Sequence, residues 1–173
     1  MSVLTPKFRR AYEFTTSAAI EGGFSDIRED RGGRTMNGFT QRLYDGWRFT
    51  HGLPKRDVRL IEEEEKEQIA HDEFWVPAQC EPLPEPLCIA VFDMAFNSGP
   101  WNAKLTLQRA LRVKQDGVIG EKTVRAAQDP EAMLRFLMKR AAFIQDIVLN
   151  DRSQVIFLEG WINRLLLLQA WRP

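Results

Sequence analysis

The sequence predicts a mainly α-helical fold with a small β-hairpin lobe near its N-terminus, within 173 residues. Apolar residues recur at helical spacing through most of the chain. Turn-forming residues concentrate in residues 24–40, where no helical period is present. A chain of this length can bury a substantial core. Its content of 44% hydrophobic and 28% charged residues is typical of a soluble globular domain.

The first predicted helix covers residues 7–20, where apolar side chains share one face. Gly22 and Gly23 are expected to end it, because glycine enters the left-handed conformation after a helix without a Cβ penalty. Residues 24–40 contain the letters EDRGGRTMNG and form the predicted β-lobe. The lobe therefore follows directly on the first helix.

The rest of the chain is predicted to be helical. The segment CIAVFDMAF is apolar nearly all round, which indicates a central buried helix. Asp93 within it is expected to be a satisfied buried group that braces the core, although a hydrogen bond to a sugar is an alternative. The predicted helical ranges are 40–49, 57–75, 88–96, 101–111, 130–150 and 157–171, with a short helix beginning after QDGVIG.

The segment AIEGGFSDIREDRGGRT carries the first candidate site. Glu21 stands at the predicted helix end, where the carbonyl dipoles are expected to raise its pKa. A carboxylic acid that stays protonated near neutral pH is what a glycosidase needs to protonate a departing sugar oxygen. The lobe would bring Asp30, which can stabilise positive charge or activate water, and Thr35, which can orient that water, opposite Glu21. A solvated helix end and an ordinary turn aspartate are the alternatives.

The spacing of Glu21, Asp30 and Thr35 is similar to the catalytic arrangement of bacteriophage-type lysozymes. In order, the blocks EGGF, DRGGRTMNGFT, AVFDMAFNSGP, LQRALRVKQDGVIGEKT and FLEGWINR resemble those of glycoside hydrolase family 108. The resemblance implies a lysozyme-like fold and an N-acetylmuramidase that cleaves the β-1,4 bond between N-acetylmuramic acid and N-acetylglucosamine. It also implies Glu21 as the general acid, Asp30 and Thr35 in supporting roles, and no cofactor.

The C-terminal block LQRALRVKQDGVIGEKT also resembles peptidoglycan-binding modules. Asp116 and Gly117 predict a tight turn there, which the fold needs whether or not a glycan binds. Because no linker separates the blocks, we predict one lysozyme-like domain over residues 1–173. Residues 1–99 would be its N-terminal catalytic part, and residues 100–173 its C-terminal helical part.

Asn97, Ser98 and Trp47 are the candidate substrate-binding residues. Asn97 and Ser98 end the central helix, which is expected to face the cleft. The ring of Trp47 can stack on the apolar face of a sugar, as can Trp75 and Trp101. For all three tryptophans, helical spacing makes packing in the core the competing interpretation.

Charge and composition argue against several functions. Lys plus Arg equals Asp plus Glu at 24 each, so no net field points to nucleic acid or to an anionic membrane. No apolar run approaches the ~20 residues of a membrane span. His51 and His71 have no second ligand at metal spacing, so we predict no metal. Cys80 and Cys88 are expected to be reduced buried thiols, with pairing as the alternative.

Peptidoglycan is the expected partner, and the protein is expected to act as a monomer. No secretory signal is visible in the first residues, so cytoplasmic synthesis and release through a holin or secretion machinery are expected. Two other functions stay open: a catalytically inactive peptidoglycan-binding module, and a helical protein-interaction or nucleic-acid-binding domain. Retention or inversion of configuration, and hydrolysis or lytic transglycosylation, are also open.

Overall fold

The computed structural model describes residues 4–17, 23–25 and 33–172, and within them the chain is mainly helical with one small antiparallel sheet. The predicted fold class is therefore confirmed. The strands are β1 (Phe24–Ser25), β2 (Thr35–Met36) and β3 (Phe39–Thr40). The helices are α1 (Pro6–Thr16), α2 (Gln41–Thr50), α3 (Glu63–Ala70), α4 (Leu87–Ser98), α5 (Pro100–Ala110), α6 (Glu121–Ala126), α7 (Ala132–Asn150) and α8 (Leu158–Ala170).

Helix α1 ends earlier than the sequence predicts. Thr5 caps its start by accepting a hydrogen bond from the backbone N–H of Phe8 at 3.2 Å. At the other end, Ser17 has extended backbone angles, so the helix stops at Thr16. The predicted end at residue 20 is wrong. Glu21 lies five positions after Thr16 and outside the described residues, so a raised pKa at Glu21 stays a prediction from the sequence.

The β-lobe is built around a two-residue turn. Asn37 and Gly38 connect β2 to β3, and both have positive φ, 49° and 83°. This is the backbone of a type I′ hairpin, for which Asn-Gly is the preferred sequence. Phe39, fully buried, then packs edge-on against Phe96 of α4, with ring centroids 5.1 Å apart. That contact fixes the lobe to the end of the central helix.

Residues 57–75, predicted as one helix, form three short segments instead. A 3-10 turn (Val58–Leu60) precedes α3, and a π-helical turn (His71–Trp75) follows it. The break arises because Ile61 is extended and Glu62 begins α3 with a capping box. A helix that starts anew at Glu62 cannot continue from Leu60.

The acidic residues in the first turn of α3 are only partly exposed to solvent. Glu65 is a half-buried ion-pair partner: its carboxylate accepts from Arg48 at 2.8 Å, from the hydroxyl of Tyr44 at 2.6 Å, and from Arg56. These bonds join α2 to α3. Glu64 projects into solvent. The first turn of α3 thus carries both an ion-paired and a solvated glutamate.

Helix α4 is the centre of the core, as its apolar sequence predicts. Every residue from Leu87 to Phe96 is buried, and the helix contacts α1, α5 and α7. One continuous hydrophobic cluster extends from Phe8 in α1 to Leu168 in α8, so both predicted parts of the chain contribute to it. Cys88 belongs to this core as a free thiol, and burial raises its pKa to about 12.

A buried ion cluster joins four helices. Asp93 in α4 is fully buried, and both its oxygens accept from Nε of Arg164 in α8, at 2.8 and 3.0 Å. Nη1 of Arg140 in α7 lies 2.6 Å from the same carboxylate and forms an ion pair with it. Nη2 of Arg164 donates to the carbonyl of Thr15 in α1 at 3.1 Å. Asp93 is thus a structural group.

The charge state of Asp93 follows from this cluster. Burial alone would raise its pKa, but the guanidinium groups of Arg164 and Arg140 outweigh burial and hold that pKa below its ordinary value. The folded pKa therefore lies below the unfolded one. The stabilisation of the folded state by ionised Asp93 is present above the pKa that Asp93 has in the unfolded chain, and it is lost as the pH falls through the pKa in the folded protein.

Replacing Asp93 with Asn is expected to lower the free energy of unfolding by about 3–5 kcal/mol, because two buried guanidinium groups lose their counter-charge. Urea denaturation at neutral pH measures this. The control is Asp129→Asn, which weakens a partly exposed ion pair with Arg135 at 2.7 Å and is expected to change little. Equal effects of the two substitutions would contradict a stabilising role for the buried cluster.

Candidate active site

A cleft of about 730 Å³ separates the β-lobe from helices α7 and α8. This volume falls within the range of sites that enclose a small-molecule or saccharide ligand. The lobe contributes one wall, the C-terminal end of α4 contributes the floor, and α7, α8 and the turn between them contribute the other wall. Among the described residues, the lining includes Thr35, Gly38, Asn97, Ser98, Arg140, Phe143, Gln154, Phe157, Trp161 and Arg164.

Three of the residues proposed from the sequence meet in this cleft. Thr35 lies on β2, and its hydroxyl donates to the carbonyl of Gly33 at 2.8 Å, which leaves the oxygen able to accept. Asn97 and Ser98 lie in the last turn of α4. The amide of Asn97 donates to the backbone carbonyl of Asp93 at 2.7 Å, so its orientation is fixed while its own oxygen can still accept.

Glu21 and Asp30 lie outside the described residues, and their roles stay predictions from the sequence. The chain does approach the cleft on either side of them. Arg164, which lines the cleft, bonds the carbonyl of Thr15 near the end of α1. On the other side, Gly33 accepts from the cleft residue Thr35.

Trp47 is not among the described residues that line the cleft. It is 8% exposed and stacks on His51, with ring centroids 4.2 Å apart, and its buried indole N–H has no hydrogen-bond partner among the described residues. The geometry therefore gives no support to sugar stacking by Trp47. Its side chain packs in the core, the competing interpretation of its helical spacing.

Other cleft residues were missed by the sequence-based reasoning. Trp161 lines the cleft and packs against Phe157, with ring centroids 5.9 Å apart. Arg140 and Arg164 place positive charge at its base. Trp161 and Arg164 belong to the block FLEGWINR, which marks the segment without showing which of its faces meets the cleft.

Neither a metal-binding cluster nor a membrane-spanning helix is present in the described residues. Over residues 4–17, 23–25 and 33–172, no group of three or more His, Cys, Asp or Glu side chains is placed to hold a metal ion. In the same ranges, no helix combines the length and the apolar character that a membrane crossing requires.

The helical core, the β-lobe and the cleft between them define a lysozyme-like glycosidase fold. A family model described as Glycosyl hydrolase 108 matches residues 14–99, and one described as Predicted Peptidoglycan domain matches residues 102–166. The chain therefore carries a glycosyl hydrolase 108 domain followed by a predicted peptidoglycan-binding domain. These matches support glycoside hydrolase activity and peptidoglycan as a ligand.

A solved structure has a similar fold. The structure of Brucella abortus SagA is similar to this chain with a TM-score of 0.78 and 27% sequence identity. The similarity covers 94% of this chain and 91% of that one. A comparison with curated proteins found no match.

The cleft geometry predicts different effects for two candidate substrate-binding residues. Asn97→Ala is expected to slow the clearing of purified cell walls about 2- to 10-fold, the equivalent of one hydrogen bond of about 0.5–1.5 kcal/mol. Trp47→Phe is expected to keep the parental rate, because the ring lies in the core. Turbidity assays measure both. A loss confined to Trp47→Phe, with the fold intact by circular dichroism, would show that the cleft is assigned to the wrong face.

Proposed function

We propose that this protein is an N-acetylmuramidase that hydrolyses the β-1,4 bond between N-acetylmuramic acid and N-acetylglucosamine in peptidoglycan. One observation carries the proposal. In a chain with a glycosyl hydrolase 108 domain, Thr35 from the lobe meets Asn97 and Ser98 from α4 in one large cleft. The predicted peptidoglycan domain that follows supports peptidoglycan as the polymer that the protein acts on.

The proposed reaction assigns each group a role. Glu21 donates its proton to the glycosidic oxygen as the bond from that oxygen to the anomeric carbon breaks. Asp30 stabilises the positive charge that develops on the sugar ring or takes a proton from the attacking water. The oxygen of Thr35 accepts a hydrogen bond from that water and orients it. Asn97 and Ser98 hydrogen-bond sugar hydroxyl or acetamido groups.

The described residues that precede Glu21 in the chain support a position for Glu21 near the cleft. Ser17, the cap of α1, is four positions before Glu21, so their Cα atoms are at most about 14 Å apart. The last turn of α1 is hydrogen-bonded, through the carbonyl of Thr15, to Arg164, which lines the cleft. A carboxyl group on this segment is therefore within reach of a bound glycan.

Glu21→Gln is expected to fold with nearly unchanged thermal stability and to lose wall-clearing activity by at least ~10²-fold, the low end for general acid catalysis. Glutamine keeps the shape of the side chain but has no transferable proton. Glu64→Gln is the control, because Glu64 is exposed on α3. Clearing at the parental rate by Glu21→Gln would remove this residue from the mechanism.

The products identify the reaction. Digested peptidoglycan is expected to release muropeptides with a reducing N-acetylmuramic acid end, because water is the acceptor in hydrolysis. Mass spectrometry of the soluble fragments measures this. Anhydro-muramic ends would instead identify a lytic transglycosylase, and reducing N-acetylglucosamine ends would place the cleaved bond on the other side of the disaccharide.

A further inference from the structure

Trp101 is an exposed tryptophan just outside the cleft. It is 57% exposed, whereas Trp47 and Trp75 are 8% and 2% exposed. It follows Pro100 in the first turn of α5, three residues after Ser98, a lining residue of the cleft. Single exposed apolar side chains are common on protein surfaces, so exposure alone does not indicate a binding site. The surroundings of the ring provide the further evidence.

The ring is held in place by a turn that only glycine can supply. Gly117 has a φ of +71°, and a Cβ atom there would lie 2.2 Å from Cζ3 of Trp101. The backbone of Gly117 therefore lies directly against the benzo ring. A side chain at position 117 would displace the indole as well as strain the turn.

A buried glutamine fixes that turn. The side chain of Gln108, 1% exposed, donates to the carboxylate of Asp116 at 2.8 Å and to the carbonyl of Val118 at 3.0 Å. Its oxygen accepts from the backbone N–H of Gly117 at 2.8 Å. Trp101 is thus presented to solvent on a rigid support, which reduces the entropy lost when a ligand packs on it.

A positively charged side chain lies close to the ring of Trp101. Nζ of Lys104, one turn along α5, lies 5.9 Å from the ring centroid of Trp101. Within the described part of the chain, no carboxylate forms an ion pair with Lys104. An exposed aromatic ring beside an unneutralised ammonium group suits a ligand that combines an apolar sugar face with a carboxylate.

We propose that Trp101 and Lys104 form a second glycan-binding subsite, outside the cleft, for the peptidoglycan strand. A sugar ring stacks on the indole, and Lys104 pairs with a carboxylate of the muramic acid lactyl group or of its stem peptide. The inference rests on the proposed function. The Cα atoms of Ser98 and Trp101 are at most about 11 Å apart, so a strand longer than the cleft can contact both.

Binding to insoluble peptidoglycan tests the subsite directly. Trp101→Ala is expected to bind about tenfold more weakly than the parent in a sedimentation assay, the loss typical of a central aromatic contact. Phe49→Ala is the matched control, because Phe49 is an aromatic side chain, 84% exposed, on helix α2, which contributes none of the described residues that line the cleft. Equal binding by the parent and Trp101→Ala would overturn the proposal.

Two further measurements separate the components of the subsite. Lys104→Gln is expected to weaken binding at low salt and to match the parent at high salt, because salt screens the pairing of Lys104 with a carboxylate. In the unsubstituted protein, peptidoglycan is expected to protect Trp101 from oxidation by N-bromosuccinimide, as located by peptide mapping. This measurement does not depend on the folding of any variant. Full oxidation of Trp101 in the bound state would overturn the proposal.

Cleavage assays distinguish this inference from the proposed function. Trp101→Ala is expected to cleave a short soluble muropeptide tetrasaccharide at the parental rate and intact walls more slowly, because only the polymer spans both sites. If the parent cleaves neither substrate, the muramidase proposal fails, while a binding loss in Trp101→Ala still supports the subsite. Equal slowing on both substrates would place Trp101 in the cleft and overturn a separate subsite.

Discussion

The buried carboxylate of Asp93 is the constraint on which the arrangement of the helices depends. It lies in the central helix and meets one guanidinium from α7 and another from α8, while Arg164 also holds the end of α1. An ionised group at this depth is stable only with its counter-charges in place, so these helices must converge there. Dispersion and apolar burial favour compaction in general. The ion cluster also fixes where the helices lie relative to one another, because each of its contacts has a defined hydrogen-bonding or ionic geometry.

The same cluster links the core to the cleft. Arg140 and Arg164 contact Asp93 on one side and line the cleft on the other. The backbone carbonyl of Asp93 also accepts a hydrogen bond from the side-chain amide of Asn97, one turn further along α4. The base of the cleft is therefore supported by groups whose positions are set by core electrostatics. Such support keeps the polar side chains of a site in fixed orientations before a substrate binds.

Where a pattern is local, the sequence predicted the structure well. The all-round apolar segment is the buried helix α4, and the Asn-Gly pair forms the turn between β2 and β3. The ends of the helices were predicted less well. The first helix ends at Thr16, and residues 57–75 break at Ile61, because caps and extended residues interrupt an apolar period that looks continuous in sequence. For the candidate site, Thr35, Asn97 and Ser98 were found from motifs, whereas Glu21 and Asp30 lie outside the described residues.

The sequence by itself determined the helical class, the position of the lobe and the family resemblance, because these depend on residue type and spacing along the chain. Only the tertiary structure decided which tryptophans are available to a ligand. Trp47, Trp75 and Trp101 all have helical spacing, yet the first two are buried and Trp101 is exposed beside Gly117. Exposure depends on which elements pack over a side chain, and that is set by contacts between residues distant in sequence. For the same reason, the lining of the cleft by Trp161, Arg140 and Arg164 followed from the folded chain and not from its motifs.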